Sequence, residues 1–302
     1  MSSPVSFKEA LDLVLTEARL LPPEEADLLA SLGRVCARDV VSPADVPPWD
    51  HAAGDGFALR SEETASASED STVRLRVVAD LPAGGVCDAA VGTRECVRIM
   101  TGAPMPAGCD AVVMKESAAD DGDRVFIKAP AARGENVRRQ GAWVRSGDVV
   151  VAAGKRISAA DIGVLASARV AVLSVFRRPV VAVLSTGDEL AGGAEALAPG
   201  KIAASNNVAL EAQVMEAGAV PLQLGFVGDG REDLEAAIGR GRAADVVLTT
   251  GGTSEGGHDR VKEVLDRLGF EPRFCRVAMK PGKSLATRAS LGYGKTTASA
   301  WI

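Results

Sequence analysis

The 302-residue sequence predicts a multidomain α/β protein. At about 150 residues per domain, the length suggests two or three domains. From residue 179 onward, continuous apolar segments alternate with helical patterns, which is typical of a doubly wound parallel sheet. Residues 73–130 instead hold short valine-rich runs separated by Gly, Pro and Asp, which indicates a small all-β unit. We therefore expect an α/β domain and an all-β domain, with helical segments beside them.

Composition excludes several classes of protein. Hydrophobic residues make up 47% and charged residues 25% of the chain, as in soluble globular proteins. The net charge of −6 leaves no basic excess for binding nucleic acid. No apolar run approaches the roughly 20 residues that span a bilayer, and the N-terminus lacks the pattern of a signal peptide. We expect a cytoplasmic protein with neither nucleic acid nor a membrane as partner.

Metal and disulfide frameworks are also unsupported by the sequence. The chain has five cysteines and two histidines, scattered without the spacing of a zinc site. The cysteines are therefore interpreted as small buried thiols.

The N-terminal third begins with a predicted amphipathic helix over residues 6–20. Ser6 and Glu9 have the spacing of a capping box, in which each residue caps a backbone N–H of the other. A second short helix is predicted over 24–32, followed by an extended segment over 34–41. Residues 62–71 are polar and of low complexity, so we interpret them as a loop.

The β unit and the α/β unit follow from hydrophobic patterning. A second capping box, Ser158 with Asp161, predicts a helix between them. The predicted β-unit strands are 73–79, 95–99, 111–115 and 124–127. The α/β unit is predicted to contain strands 180–184, 222–227, 246–249 and 276–279, and helices 208–217, 232–239 and 260–268.

The segments that follow the predicted parallel strands are the candidate site, because ligands of such sheets bind beyond the carboxyl ends of the strands. They are residues 185–189, 228–230, 250–254 and 280–283. Glycines in 250–254 let backbone N–H groups approach an anion, and two lysines on a Pro-Gly turn suit phosphate or another oxyanion. Hard carboxylate oxygens in these segments suit Mg²⁺. They belong to Asp188, Glu189, Asp229 and Asp259.

Simpler interpretations stay open for these segments. Glycine-rich turns after strands are often only turns, and Asp259 suits an N-cap of the helix that follows it. A P-loop is excluded: Gly282-Lys283-Ser284 would need a glycine where Val277 stands.

Several segments together resemble one family. In the first half of the chain they are Pro47 to Ala58 (PPWDHAAGDGFA), Arg98 to Pro104 (RIMTGAP) and Ala111 to Met114 (AVVM). In the second half they are Ser185 to Leu190 (STGDEL), Ser205-Asn206, Thr250 to Ser254 (TGGTS) with Asp259, and Met279 to Lys283 (MKPGK). In this order they are similar to the molybdopterin molybdenumtransferase family, the bacterial relatives of the gephyrin E domain. The similarity runs from about residue 6 to residue 283.

The resemblance implies three domains and an activity. The domains are a discontinuous helical linker domain (1–41 and 139–177), an inserted β domain (42–138) and an α/β molybdopterin-binding domain (178–302, with an atypical tail over 284–302). The implied reaction inserts molybdenum from molybdate into adenylylated molybdopterin, with Mg²⁺ and release of AMP. A homodimer is implied, in which the β domain faces the α/β domain of the partner subunit, with a molybdopterin adenylyltransferase as a further partner.

The resemblance also assigns roles by position. The implied catalytic residues are Asp55, Thr101, Asp259, Lys280 and Lys283. The implied substrate-binding residues are Thr186, Gly187, Ser205, Asn206, Thr250, Gly251, Gly252 and Ser254. The implied metal ligands are Asp188, Glu189 and Asp229.

Three departures from the family pattern support an alternative function. Gly54 replaces the usual Met, Ala142-Trp143 replace the usual Glu-Asp, and the Leu-Pro-Gly-Asn-Pro loop and final β domain do not follow Lys283. Few large apolar residues occur in 284–302, so this tail is expected to be poorly ordered and to leave the sheet edge partly uncovered. The alternative is a non-catalytic or truncated molybdopterin-binding or scaffold relative of the enzyme.

Overall fold

The computed structural model describes residues 3–88, 90–192, 198–251, 260–280, 285–290 and 298–301. The helices of these segments are α1 (Phe7–Glu17), α2 (Ala159–Ser167), α3 (Ser205–Glu216), α4 (Arg231–Gly241) and α5 (Arg260–Arg267). The strands are β1 (Pro23–Asp27), β2 (Val40–Val41), β3 (His51–Ala52), β4 (Gly56–Leu59), β5 (Val73–Leu81), β6 (Glu95–Ile99), β7 (Ala111–Met114), β8 (Ala118–Asp120), β9 (Arg124–Ile127), β10 (Val137–Arg138), β11 (Val149–Val151), β12 (Val172–Phe176), β13 (Val180–Thr186), β14 (Leu190–Ala191), β15 (Ile202–Ala203), β16 (Val220–Val227), β17 (Val246–Thr250), β18 (Phe270–Phe274), β19 (Thr287–Ser290) and β20 (Ala298–Trp301).

The chain divides into two compact units. Unit 1 comprises Met1–Glu24 and Val175–Ile302, and unit 2 comprises Glu25–Ser174. This two-way division does not test the three predicted domain boundaries, which stay a prediction. None of the helices in the described segments is long and apolar enough to cross a membrane.

Unit 1 is built on a six-stranded sheet in the order β16-β13-β17-β20-β19-β18. The pairs β16–β13, β13–β17 and β17–β20 are parallel, whereas β20–β19 and β19–β18 are antiparallel. The sheet is therefore mixed. The predicted parallel arrangement holds for its first four strands and is wrong for β18 and β19, because the chain returns through β19 before it enters β20.

Helices cover both faces of β13, as the doubly wound prediction requires. Val181 and Val183 pack against Leu210 and Val214 of α3. Leu184 is fully buried and packs among residues of α4 and α5. Successive strand residues face opposite sides of a sheet, so this alternation places apolar helices on each side.

Unit 2 contains a second six-stranded sheet, in the order β7-β4-β6-β5-β9-β8. It is antiparallel except for the β5–β6 pair. Phe57 and Leu59 of β4 pack in one apolar cluster and Ala58 packs in another, so this sheet is buried on both faces. The predicted strands 95–99 and 124–127 are confirmed as β6 and β9.

Both predicted capping boxes are present. Ser6 and Glu9 start α1, and Ser158 and Asp161 start α2, with the side chain and backbone bonds of each box formed in both directions. In unit 1, Ala10 of α1 packs against Phe274 and Val277.

The helix predicted over 24–32 is wrong. Residues Pro23–Asp27 form β1, and a 3-10 turn covers Leu29–Ser31. The Leu28 N–H donates to the distant carbonyl of Ala171 at 2.9 Å. Such long-range backbone pairing replaces the i to i−4 bonds that a helix needs, and the local pattern of apolar residues does not reveal it.

The strand predicted over 276–279 is also wrong, because the strand in this region is β18, Phe270–Phe274. Among the described residues, Val277 makes a single parallel bridge, with Val5. It is fully buried, but it packs against Ala10 and not in the sheet. Burial of Val277 and the apolar residues around it therefore reflects contact with α1.

The described residues of the tail contain two strands of this sheet, β19 and β20. The backbone of β20 pairs with β17, from Val246 opposite Ala298 to Thr249 opposite Trp301. The backbone of β19 pairs with β18 on the side of β19 that faces away from β20. The expected uncovered edge is wrong here, because backbone hydrogen bonds form a strand without large apolar side chains.

Candidate functional site

Buried hydroxyl groups join the carboxyl ends of β13 and β17 in unit 1. Ser185, Thr186 and Thr250 are 1%, 3% and 4% exposed. The Thr186 hydroxyl donates to the Thr250 carbonyl at 3.4 Å, and the Thr250 hydroxyl donates to the Ser185 hydroxyl at 3.3 Å. Because buried polar groups cost free energy unless they are paired, this network holds the two strand ends together.

Gly251 directly follows this network and no other residue fits there. Its φ is +92°, a conformation that side chains rarely adopt. A Cβ at this position would lie 2.1 Å from the Thr186 carbonyl oxygen. The glycine therefore permits a close approach between the backbones that follow β17 and end β13.

The loops after β13 and β16 are also joined. The Asp229 N–H donates to Asp188 Oδ1 at 2.9 Å, and the Gly187 N–H donates to the Val227 carbonyl at 3.1 Å. Asp188 thus tethers the neighbouring loop with one carboxylate oxygen, which leaves the second oxygen for other contacts.

Two cations that sequence reasoning missed contact these loops. Lys201 Nζ donates to the Asp188 carbonyl, and the Arg260 guanidinium donates to the Asp229 carbonyl. A carbonyl is uncharged, so these bonds alone do not neutralise the charge of either cation. Arg260 is the first residue of α5, where the helix dipole disfavours a cation, and that local conflict is the signal in the sequence.

The remaining predicted residues of unit 1 are less connected. Ser205 and Asn206 are the first two residues of α3 and are exposed, and Glu189 is exposed with its carbonyl accepting from the Ile202 N–H at 2.8 Å. Lys280 is exposed, and within the described residues no hydrogen bond or ion pair joins it to the strand ends. Gly252, Ser254, Asp259 and Lys283 lie outside the described residues.

The acidic side chains of the described segments do not form a complete metal cage. No group of three or more His, Cys, Asp or Glu side chains there is placed to hold an ion. Mg²⁺ is commonly held by one or two carboxylates together with substrate phosphates. The second carboxylate oxygen of Asp188 and the carboxylate of Asp229 fit that smaller requirement.

Unit 2 brings Asp55 and Thr101 into direct contact. The Thr101 N–H and hydroxyl both donate to Asp55 Oδ1, at 2.9 and 2.7 Å. These bonds, with the nearby charge of Lys115, hold the pKa of Asp55 below its usual value. The carboxylate is therefore ionised, with its other oxygen available, although its role stays a prediction.

Two departures from the family pattern are visible in unit 2. A Cβ on Gly54 would lie 2.3 Å from Met114 Cε, so Met114 fills the space beside this glycine. Trp143 is 62% exposed, and the Arg138 guanidinium lies 5.4 Å from the centroid of a ring of Trp143. This pair presents an aromatic surface where the resemblance implies acidic residues.

The structure thus comprises an α/β unit, whose strand ends carry the candidate site, and a β unit. The chain matches two family models, "MoeA N-terminal region (domain I and II)" over residues 5–168 and "Probable molybdopterin binding domain" over residues 182–300. It is 40% identical to a molybdopterin molybdenumtransferase of Nostoc over 87% of this chain and 60% of the relative. It is 36% identical to that of Bacillus subtilis over 93% of this chain and 66% of the relative.

A solved structure agrees with these matches. The molybdopterin biosynthesis MoeA protein of Pyrococcus horikoshii has a TM-score of 0.83 at 33% identity, covering 99% of this chain and 75% of that one. The chain belongs to the molybdopterin molybdenumtransferase family, which confirms the resemblance found in its motifs. It spans 60% of the length of the Nostoc relative.

Proposed function

We propose that this chain acts in molybdenum cofactor biosynthesis by inserting molybdenum from molybdate into adenylylated molybdopterin, with release of AMP. The observation that supports this most is the joined strand-end network of Ser185, Thr186, Thr250 and Gly251. It lies in the segment that matches the molybdopterin-binding domain model. Buried hydroxyls and a required glycine form a rigid backbone edge at the place where ligands of such sheets bind.

The substrate and molybdate are anions, so cations carry their recognition. Lys280 and Lys283 are proposed to hold oxyanions, together with backbone N–H groups near Gly252 and Ser254. Thr186, Gly187, Ser205, Asn206, Thr250 and Gly251 are proposed to border the substrate. Asp259 is proposed as a catalytic carboxylate of the same edge.

Magnesium is proposed as the cofactor, with Asp188, Glu189 and Asp229 as its protein ligands. When bound, Mg²⁺ neutralises phosphate charge. Asp188 serves this role with the oxygen that does not accept from the Asp229 N–H. The same residue therefore orders the loop and offers a hard donor.

A homodimer is proposed as the active form, with Asp55 and Thr101 of one subunit acting at the α/β unit of the other. The ionised Asp55 carboxylate, held by two Thr101 donors, is preorganised for such a contact. A molybdopterin adenylyltransferase is the proposed source of the substrate.

The test is release of AMP from adenylylated molybdopterin on addition of molybdate. Lys280→Ala should lower the rate strongly, whereas Lys8→Ala, an exposed lysine of α1, should leave it unchanged. Absence of AMP release by the wild-type protein would refute the proposal.

The exposed Trp143 favours a second candidate function, a non-catalytic molybdopterin-binding protein. In that case the protein binds adenylylated molybdopterin but releases no AMP in the same assay. Replacing Trp143 with Asp would not restore turnover if binding is the sole function.

A further inference from the structure

A polar residue interrupts the buried stripe of α3. Asn207, Leu210 and Val214 are the buried residues of this helix. Leu210 and Val214 pack on Val181 and Val183 of β13. Asn207 lies on the same stripe one turn closer to the start of the helix and is only 4% exposed. An apolar residue is expected at this position.

The carboxamide oxygen of Asn207 is buried and has no hydrogen-bond partner among the described residues. Buried amide oxygens in proteins are nearly always paired. The first turn of α3 is open as well, since its N-cap residue, Ala204, makes no side-chain capping bond. At the end of the sheet where ligands bind, such an acceptor offers a hydrogen bond that a ligand can complete.

The position of Asn207 is at the ligand-binding end of the sheet. A helix that connects two parallel strands starts at the carboxyl end of the first one, and α3 connects β13 to β16. Residues 181, 183 and 185 share one face of β13, so the apolar face below α3 ends at Ser185. Ser185 accepts from Thr250 in the hydroxyl network. Asn207, the polar residue at the start of the α3 stripe, and Ser185, the polar residue at the end of this face of β13, therefore lie at the same end of the sheet.

The chemistry of an amide oxygen selects the group it receives. It accepts hydrogen bonds and does not attract phosphate or molybdate, which carry only acceptor oxygens at neutral pH. A pterin ring carries a ring N–H and an amino group on one edge. We propose that Asn207 is a specificity-determining residue that accepts an N–H of the amino group on the pterin ring of the substrate. This inference rests on the proposed function and adds the residue that selects the heterocycle.

The experiment compares two fluorescent heterocycles, pterin and lumazine, by titration of the full chain. Lumazine has an oxo group in place of the pterin amino group. The wild type should bind pterin more tightly, and Asn207→Leu should reduce the preference about tenfold, equivalent to about 1.4 kcal/mol. Asn207→Asp keeps an acceptor and should keep the preference. If Asn207→Leu does not fold, Asn207→Ser, which withdraws the oxygen, gives the same comparison.

Glu211→Gln is the matched control. Glu211 Oε1 is also buried and has no hydrogen-bond partner in the described part of the chain, but it lies one turn further from the start of α3, so the preference for pterin should not change. An unchanged pterin-to-lumazine ratio in a folded Asn207→Leu protein, or no pterin binding by the wild type, overturns the inference. If AMP release is absent but Asn207→Leu abolishes the pterin preference, the inference stands and the proposed reaction fails. If AMP is released but a folded Asn207→Leu protein keeps the pterin preference, the proposed reaction stands and the inference fails.

Discussion

Replacing Gly251 with Ala tests whether the close approach of the strand-end backbones stabilises unit 1. The added Cβ would lie 2.1 Å from the Thr186 carbonyl oxygen and 2.8 Å from its hydroxyl. Overpacking of this kind typically costs about 1–3 kcal/mol. The φ of +92° adds left-handed strain of about 1–2 kcal/mol. Together these terms predict a loss of roughly 2–5 kcal/mol in the stability of the β13–β17 edge.

Gly218→Ala is the control for strain alone. Gly218 has a φ of +85°, but a Cβ there meets nothing within 4 Å, so only the strain of about 1–2 kcal/mol is expected. Hydrogen–deuterium exchange of β13 and β17 measures the loss in unit 1, because a chain of two units does not guarantee a single unfolding transition. Equal acceleration of exchange in both variants would refute the steric argument. So would an unchanged rate in Gly251→Ala.

Three further predictions concern charge and assembly. Asp188→Asn keeps an oxygen for the Asp229 N–H but loses a metal donor. AMP release should therefore fall and become insensitive to EDTA, while the melting temperature stays unchanged. A large drop in melting temperature would show that the charge of Asp188 is structural. The hydrogen bond from Lys155 lowers the pKa of Asp161 to about 2. The ionised Asp161 carboxylate should therefore stabilise the fold by about 1 kcal/mol above pH 4, and this stabilisation should be lost as the pH falls through 2. Asp161→Asn should remove that part of the acid unfolding curve, and an unaltered curve would contradict this. Mixing Asp55→Ala protein with Lys280→Ala protein should restore part of the AMP release through hybrid dimers; no recovery after confirmed subunit exchange would contradict the composite site.

Secondary structure was predictable wherever a local rule determined it. The capping boxes at Ser6 and Ser158 start helices because the bonds involved join residues three positions apart. The apolar run of β13 is a buried strand because helices cover both of its faces. These signals depend on neighbouring residues, which the sequence displays directly.

The wrong elements share a dependence on distant residues. The segment Pro23–Asp27 is a strand and not a helix, and the partner of the adjoining Leu28 N–H is Ala171. Val277 is buried by α1, almost the whole chain away. Hydrophobic patterning records that a residue is buried but not what buries it, so it misassigned both segments.

Part of the candidate site followed from chain order. Because parallel strands end at one edge, residues after β13, β16 and β17 were expected to meet, and the Asp188–Asp229 and Thr186–Thr250 bonds join them. The resemblance singled out Asp55 and Thr101 as residues, but it did not predict their contact, which joins positions 46 residues apart in the sequence. Contacts of Gly252, Ser254, Asp259 and Lys283 belong to segments outside the described residues.

Two of the residues that sequence reasoning missed break a local rule. Asn207 places an amide on an apolar stripe, and Arg260 places a cation at the start of a helix. A chain selected only for folding would favour an apolar residue at the first position and an acidic residue at the second. Both conflicts occur at the same end of the unit 1 sheet, beside the loops that the Asp188 carboxylate joins. Each of these two residues costs folding free energy where it stands. A ligand bound at this edge would explain both of them, because binding adds interactions that the free chain lacks.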